Sequence, residues 1–220
     1  MTRLFLLLGA LGMAFVQWLI FCYAPLESTM GITQKIFYLH LPLAWWGLCC
    51  FLVVFLCSIA VLRTKNQKAA CLARACAETG ELFAILTVFT GMIWGKNAWG
   101  VWWTWDPRLT TALILCFIYA GYLLLQNLDM PKERKERLCA VTGILAFLDV
   151  PLVFLSARIW RSIHPSVFTA QGAAMSEEML CTVLGAIGAF GLFATGLIRL
   201  RLETLTLARK LEELSLQHFE

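Results

Sequence analysis

The sequence predicts an all-α, polytopic membrane protein with six transmembrane helices and an external tryptophan-rich loop. Three observations predict it. The 220 residues are 60% hydrophobic and 15% charged, with a mean hydropathy of +0.75, whereas a soluble domain is nearer half apolar and a quarter charged. The apolar residues are gathered into runs close to the ~20 residues that cross a bilayer. The Lys and Arg residues fall in short clusters between those runs, so the net charge of +4 does not point to nucleic acid as a partner.

Residues 4–23 form the first span. Arg3 precedes it as in a signal peptide, but the apolar run is longer than a signal core and no small-x-small cleavage site follows, so it reads as a retained span. A polar segment over 25–35 leads through Ile36-Phe-Tyr-Leu-His40 into the second span, 41–62. The third is less clean. Its apolar part, 82–95, is too short alone, so the helix begins earlier, near Ala73. The span is then about 75–95, with Glu78 and Glu81 near the membrane surface or against other helices. A tryptophan-rich loop covers 94–110, and the fourth span, 109–125, starts directly from it. The charged run 131–137 is aqueous. The fifth span, 138–156, contains Asp149 and Pro151. A polar connection over 158–178 leads to the sixth span, 179–198. The tail, 199–220, places Leu202, Leu205, Leu207, Leu211, Leu214 and Leu216 among charges. It reads as an amphipathic helix that docks on a partner or lies on the surface. The whole of 1–220 is one integral membrane domain.

Orientation follows from the Lys/Arg bias. With both termini cytoplasmic, the inside carries Arg3, Arg63, Lys65, Lys68, Arg74, Lys132, Arg134, Lys135, Arg137, Arg199, Arg201, Arg209 and Lys210. The outside carries Lys35, Lys96, Arg108, Arg158 and Arg161. That division is thirteen against five, out of 18 basic residues. It puts residues 25–40, the tryptophan loop and residues 158–178 on the outer face. The nine cysteines show no C-x-x-C and no metal-type spacing. Most sit inside apolar runs, where cysteine acts as a small apolar filler.

Five of the nine tryptophans lie in the loop: Trp94, Trp99, Trp102, Trp103 and Trp105. An aromatic belt places one or two at each helix end; five within twelve positions read instead as a platform for a large, flat, partly apolar ligand. Of the three histidines, His218 lies in the tail. His40 and His164 both fall at the outer boundary, level with the loop. Either alone is commonly just an interfacial polar residue. Together with the tryptophans they suggest haem, because imidazole suits iron and axial histidine often holds it. Aromatic rings would cover the porphyrin face, and Lys96, Arg108, Arg158 and Arg161 would suit its propionates. Asp106, followed by Pro107 and a helix, reads better as a cap or a partner of Arg108 than as a ligand. Asp149 stands apart. A carboxyl inside a span marks function by default, yet a protonated Asp149 would equally satisfy the carbonyl freed by Pro151.

The motif Trp94-Gly-x-x-x-Trp99-Gly-x-Trp102-Trp-x-Trp-Asp-x-Arg-Leu-Thr110 resembles the WWD signature of membrane haem-handling proteins. Its ending, Asp106-x-Arg-Leu-Thr110, is similar to the haem exporter protein C (CcmC) family of cytochrome c maturation, although Pro107 is shared with the larger CcmF and CcsA relatives. Gln34-Lys-Ile-Phe-Tyr-Leu-His-Leu-Pro-Leu-Ala-Trp45 and Ser156-Ala-Arg-Ile-Trp-Arg-Ser-Ile-His164 resemble the segments in which that family carries its two external histidines. The family usually has two tryptophans where this chain has Ile159-Trp160, and often glutamine where it has Pro165. The resemblance implies a bacterial cytoplasmic-membrane protein that binds non-covalent, b-type haem as cargo. His40 and His164 would be the iron ligands. Trp94, Trp99, Trp102, Trp103, Trp105 and Asp106, with Arg108 and Arg161, would form the surrounding site. It also implies delivery to the haem chaperone CcmE alongside CcmA, CcmB and CcmD. No catalytic nucleophile or base is evident among the residues, so no enzymatic activity is expected. Two other classes compete. An electron-transfer subunit with bis-histidine haem b would favour histidines inside facing spans. A channel or proton-coupled transporter would use Asp149.

Overall fold

The structure, a computed structural model, describes residues 1–160, 168–169, 172–173 and 175–218. Seven α-helices account for most of it: α1 (Thr2–Trp18), α2 (Phe37–Thr64), α3 (Gln67–Trp99), α4 (Pro107–Asn127), α5 (Lys132–Phe147), α6 (Asp149–Ile159) and α7 (Glu177–His218). A π-helical turn, Leu19–Tyr23, extends α1, and a 3₁₀ turn, Ile32–Ile36, leads into α2. Phe168–Thr169 and Gly172–Ala173 form a two-residue antiparallel pair. Among the described residues six helical stretches are long and apolar enough to cross a membrane, with α5 and α6 together forming one of them. The all-α polytopic class expected from the sequence is the one observed.

Local chemistry explains the boundaries. Lys65 in the left-handed region (φ 50°) ends α2, and its N–H donates to the Val61 carbonyl. Asn66 then caps α3, its side chain accepting from the N–H groups of Lys68 and Ala69 at 3.0 and 3.1 Å. This cap starts α3 at Gln67, well before its apolar stretch. Pro151 divides the fifth span. Its ring and missing N–H act on the carbonyl four residues earlier, that of Phe147, which is the last residue of α5. The chain turns at Leu148 and resumes as α6.

α2 is the central strut, packed against α3, α5 and α7. Its core face carries Cys50, Phe51, Val54, Cys57 and Val61, buried against α3, α4 and α5. Phe51 stacks on Tyr119 with ring centroids 3.6 Å apart, and Phe55 on Phe147 at 4.6 Å. Cys50, Cys57, Cys76, Cys116 and Cys139 are buried, and all nine cysteines are free thiols, in keeping with their reading as apolar filler. The Trp46 indole N–H donates to the Ile187 carbonyl at 2.8 Å and pins α2 to α7. α1 packs chiefly along α7. There Gly9 lies so close to the Phe193 backbone that a Cβ on it would come within 2.6 Å of that nitrogen. Such close backbone approach is the usual way helices associate in lipid, where no hydrophobic drive operates between them.

The helices alternate in direction, so the molecule has two distinct ends. The tail end is held by ionic contacts. The Arg201 guanidinium donates to both carboxylate oxygens of Glu78. Arg74 reaches both Glu78 and Asn127. Arg209 donates to Glu136 and to the Gln67 carbonyl, and the Thr2 hydroxyl to Glu203. The tail helix thus docks on its own chain, while Leu207, Leu211 and Leu214 stay exposed. α7 runs for 42 residues, about 63 Å at 1.5 Å per residue, and so reaches well past one bilayer thickness. Glu81 and Asp149 are both buried. Asp149 Oδ2 has no hydrogen-bond partner, so that oxygen does not make the bond to a freed carbonyl expected from the sequence.

Candidate functional site at the loop end

The opposite end gathers residues 24–36, the tryptophan segment and the end of α6. The first of these is ordered by Glu27, whose carboxylate accepts from the N–H groups of Met30 and Thr29. Those bonds, Met30 first, hold its pKa below the usual carboxylate value. The Gly31 N–H bonds to the Glu27 carbonyl at 2.9 Å, and Gly31 has φ 56°, a conformation that glycine adopts without strain. The chain then coils through Ile32–Ile36 directly into α2. His40 is therefore in the first turn of α2, not in a loop.

His40 lies against α3. Its Nδ1 is 3.0 Å from the Thr90 hydroxyl, and its ring covers Gly91, where a Cβ would meet His40 Cε1 at 3.2 Å. Thr90 precedes Trp94 by four residues, so the two share a face of α3, about 6 Å apart along the axis. The fold thus brings His40 within one helical turn of the first tryptophan of the motif.

The tryptophan segment is less of a loop than the sequence suggests. α3 continues through Trp99 and ends at Gly100, whose φ of 78° is a left-handed cap. Lys96 Nζ donates to the Gly100 carbonyl at 2.9 Å and helps close this end. Trp94 and Trp99 meet edge to face, centroids 4.8 Å apart at 85°. Trp99 also covers Gly95, where a Cβ would lie 3.3 Å from its ring. Trp103 and Trp105 form a second edge-to-face pair at 6.0 Å. Trp102 and Trp105 are 55% and 77% exposed, while Trp103 is half-buried, its indole N–H and the Thr104 hydroxyl lying buried without hydrogen-bond partners. Asp106 is buried and caps α4, accepting the Arg108 N–H at 2.9 Å, with Pro107 at the first helical position. The cap reading of Asp106 is the observed one. It fixes the direction in which α4 leaves the segment.

The site therefore has two edge-to-face indole pairs, Trp94 with Trp99 and Trp103 with Trp105, with Trp102 and Trp105 open and the His40 imidazole one helical turn from Trp94. The open indoles suit a flat apolar ligand such as a porphyrin, and the imidazole is an iron-ligand type. Arg161 and His164 lie outside the described residues. The chain leaves α6 at Trp160, half-exposed at this same end. A cleft of about 280 Å³ between α3 and α7, lined by Glu78, Leu82, Leu197 and Arg201 among others, belongs to the tail end. Thr90 and Gly91 escaped the sequence reading. The signal was present, because they stand four residues before Trp94 and Gly95, but only the placement of α2 shows what they face.

Six helical stretches long and apolar enough to cross a membrane, with indoles and a histidine gathered at one end, define a polytopic α-helical membrane protein. The chain belongs to the heme exporter protein C (CcmC) family, whose model matches residues 1–217. It is 31% identical over 207 residues to "Heme exporter protein C" of Rhodobacter capsulatus, covering 88% of this chain and 81% of that one. It is 32% identical over 171 residues to the protein of that name from Bradyrhizobium diazoefficiens, covering 77% and 65%. A ccmC-like mitochondrial protein of cytochrome c biosynthesis from Marchantia polymorpha is 31% identical over 175 residues, covering 79% and 74%.

Proposed function

We propose that this protein binds haem at the loop end of the bundle and hands it to the chaperone CcmE during c-type cytochrome biogenesis. Haem is non-covalent, b-type cargo in this reading. His40 and His164 ligate the iron, and Trp94, Trp99, Trp102, Trp103 and Trp105 enclose the porphyrin. Asp106 holds the segment in place through its cap on α4, and Arg108 and Arg161 are the candidates for the propionates. Membership of the heme exporter protein C family supports haem handling. The single observation that carries the site is the seating of His40 on Thr90, one turn below Trp94.

The bias of thirteen basic residues against five supports a loop end facing the periplasm of a bacterial cytoplasmic membrane, with both termini in the cytoplasm. CcmA, CcmB and CcmD are the partners expected in the same complex. No nucleophile or base is assigned at the site, and the role is one of binding and transfer rather than catalysis.

The test is haem transfer in oriented proteoliposomes. Haem-loaded protein is reconstituted, and the soluble domain of CcmE is supplied at one face or the other. Covalent haem should accumulate on CcmE only when it meets the loop face. Transfer from the tail face alone, or from neither, contradicts the reading.

A further inference from the structure

We propose that Thr90 is a positioning residue for His40: its hydroxyl accepts the His40 Nδ1 proton, which leaves the ring's lone pair on Nε2 for iron. The inference rests on His40 being an axial ligand, and it adds how the fold prepares that ligand.

The hydrogen-bond geometry determines the direction. Thr90 Oγ1 lies 2.8 Å from the Leu86 carbonyl oxygen and 3.0 Å from that of Thr87. Two oxygens at such separations repel unless a proton lies between them. A threonine hydroxyl has one proton, so that proton points back to the helix carbonyls, as in i−4 back-bonding. Towards His40 the hydroxyl then offers only lone pairs. The 3.0 Å contact with Nδ1 is a hydrogen bond only if Nδ1 carries the proton. In a neutral imidazole this assigns the basic lone pair to Nε2. The outcome is the usual arrangement for a metal-binding histidine, in which the other nitrogen donates to an outer partner that fixes tautomer and ring orientation.

Gly91 supplies the second constraint. A Cβ there would stand 3.2 Å from His40 Cε1 and 3.7 Å from Nδ1, so a larger residue would push the ring a few tenths of an ångström off its seat beside Thr90. One turn of α3 thus fixes both the azimuth of the ring and its tautomer. The same turn continues into Trp94, which joins the seat of His40 to the first indole through one rigid helix.

Four variants of the full chain test this in detergent or nanodiscs: Thr90→Val, Thr90→Ser, Gly91→Ala and His40→Ala. The readouts are haem affinity, the ferric EPR spectrum and the haem midpoint potential. Thermal unfolding checks that each variant is folded. Thr90→Val keeps the shape and removes the acceptor. Haem affinity should fall about 10- to 100-fold, the range for loss of an outer partner. The low-spin EPR signal should broaden or partly convert to high spin, and the potential should rise as the imidazole becomes a weaker donor. Thr90→Ser should restore all three, and Gly91→Ala should perturb the EPR signal with the hydroxyl intact. Wild-type affinity, EPR and potential in Thr90→Val, with the signal lost in His40→Ala, would overturn the role of Thr90 and leave ligation by His40 standing. The same holds if Thr90→Ser fails to rescue. A wild-type spectrum in His40→Ala would remove ligation by His40, and this inference with it.

Discussion

Replacing Trp102 and Trp105 together by alanine is expected to weaken haem retention about 10- to 100-fold without unfolding the bundle. The magnitude follows from the rings themselves. An aromatic pair contributes roughly 0.5–1.5 kcal/mol beyond its area burial, so if both rings stack on the porphyrin as proposed, their removal amounts to about one or two decades in affinity. The selectivity for binding over stability follows from exposure. Trp102 and Trp105 are 55% and 77% exposed, so their removal leaves little cavity behind. Trp103 differs, because it is half-buried. Its truncation should disturb the segment itself, so the haem effect is best read from the 102/105 pair. Haem titration of the purified variant, with thermal unfolding alongside, measures both quantities. Unchanged affinity would reduce the exposed tryptophans to an interfacial belt.

Gly9→Leu is expected to part α1 from α7. The Cβ alone would meet Phe193 N at 2.6 Å and Cα at 2.7 Å. These are backbone atoms, so no side-chain rotation relieves the clash and the helices must separate. Overpacking of a tight interface typically costs 1–3 kcal/mol; a clash with backbone should reach about 3 kcal/mol or more. The effect spreads because Gly12 faces Ala189 and Gly196 faces Leu6 along the same seam, and close approach is what holds helices together in lipid. The control is Gly121→Leu on α4, where a Cβ meets nothing within 4 Å. The unfolding midpoint in detergent should fall sharply for the first and move little for the second. Equal midpoints would contradict the packing described for α1 and α7.

The architecture was legible because apolar runs and basic clusters are one-dimensional signals: six spans, their order and the all-α class follow from them. The limits of the spans were harder to read. The start of α3 depends on Asn66, whose capping oxygen precedes a stretch too polar to read as a span. The break in the fifth span was implicit in Pro151, since its i−4 carbonyl falls on Phe147, but a proline in a span also kinks without ending the helix. The pairings of Glu78 with Arg201, and of Glu136 with Arg209, join residues far apart in the chain, and no periodicity announces them.

At the site the tryptophans and His40 were visible as residue types, and Asp106 as a cap from the Asp-Pro sequence that opens α4. Thr90 was invisible for a different reason. A threonine within an apolar helix normally bonds back to its own carbonyls, and this one does. Its additional contact depends on how closely α2 lies along α3, where Gly47 faces Gly80 and Ala84.

The most direct test of the account is the ferric spectrum of the haem-loaded protein with and without both histidines. The wild type should show a low-spin, six-coordinate haem by optical absorption and EPR. The His40→Ala/His164→Ala double variant should bind little haem, and what remains should be high-spin. A double variant that keeps the wild-type haem content and low-spin signal would show that the iron is held elsewhere.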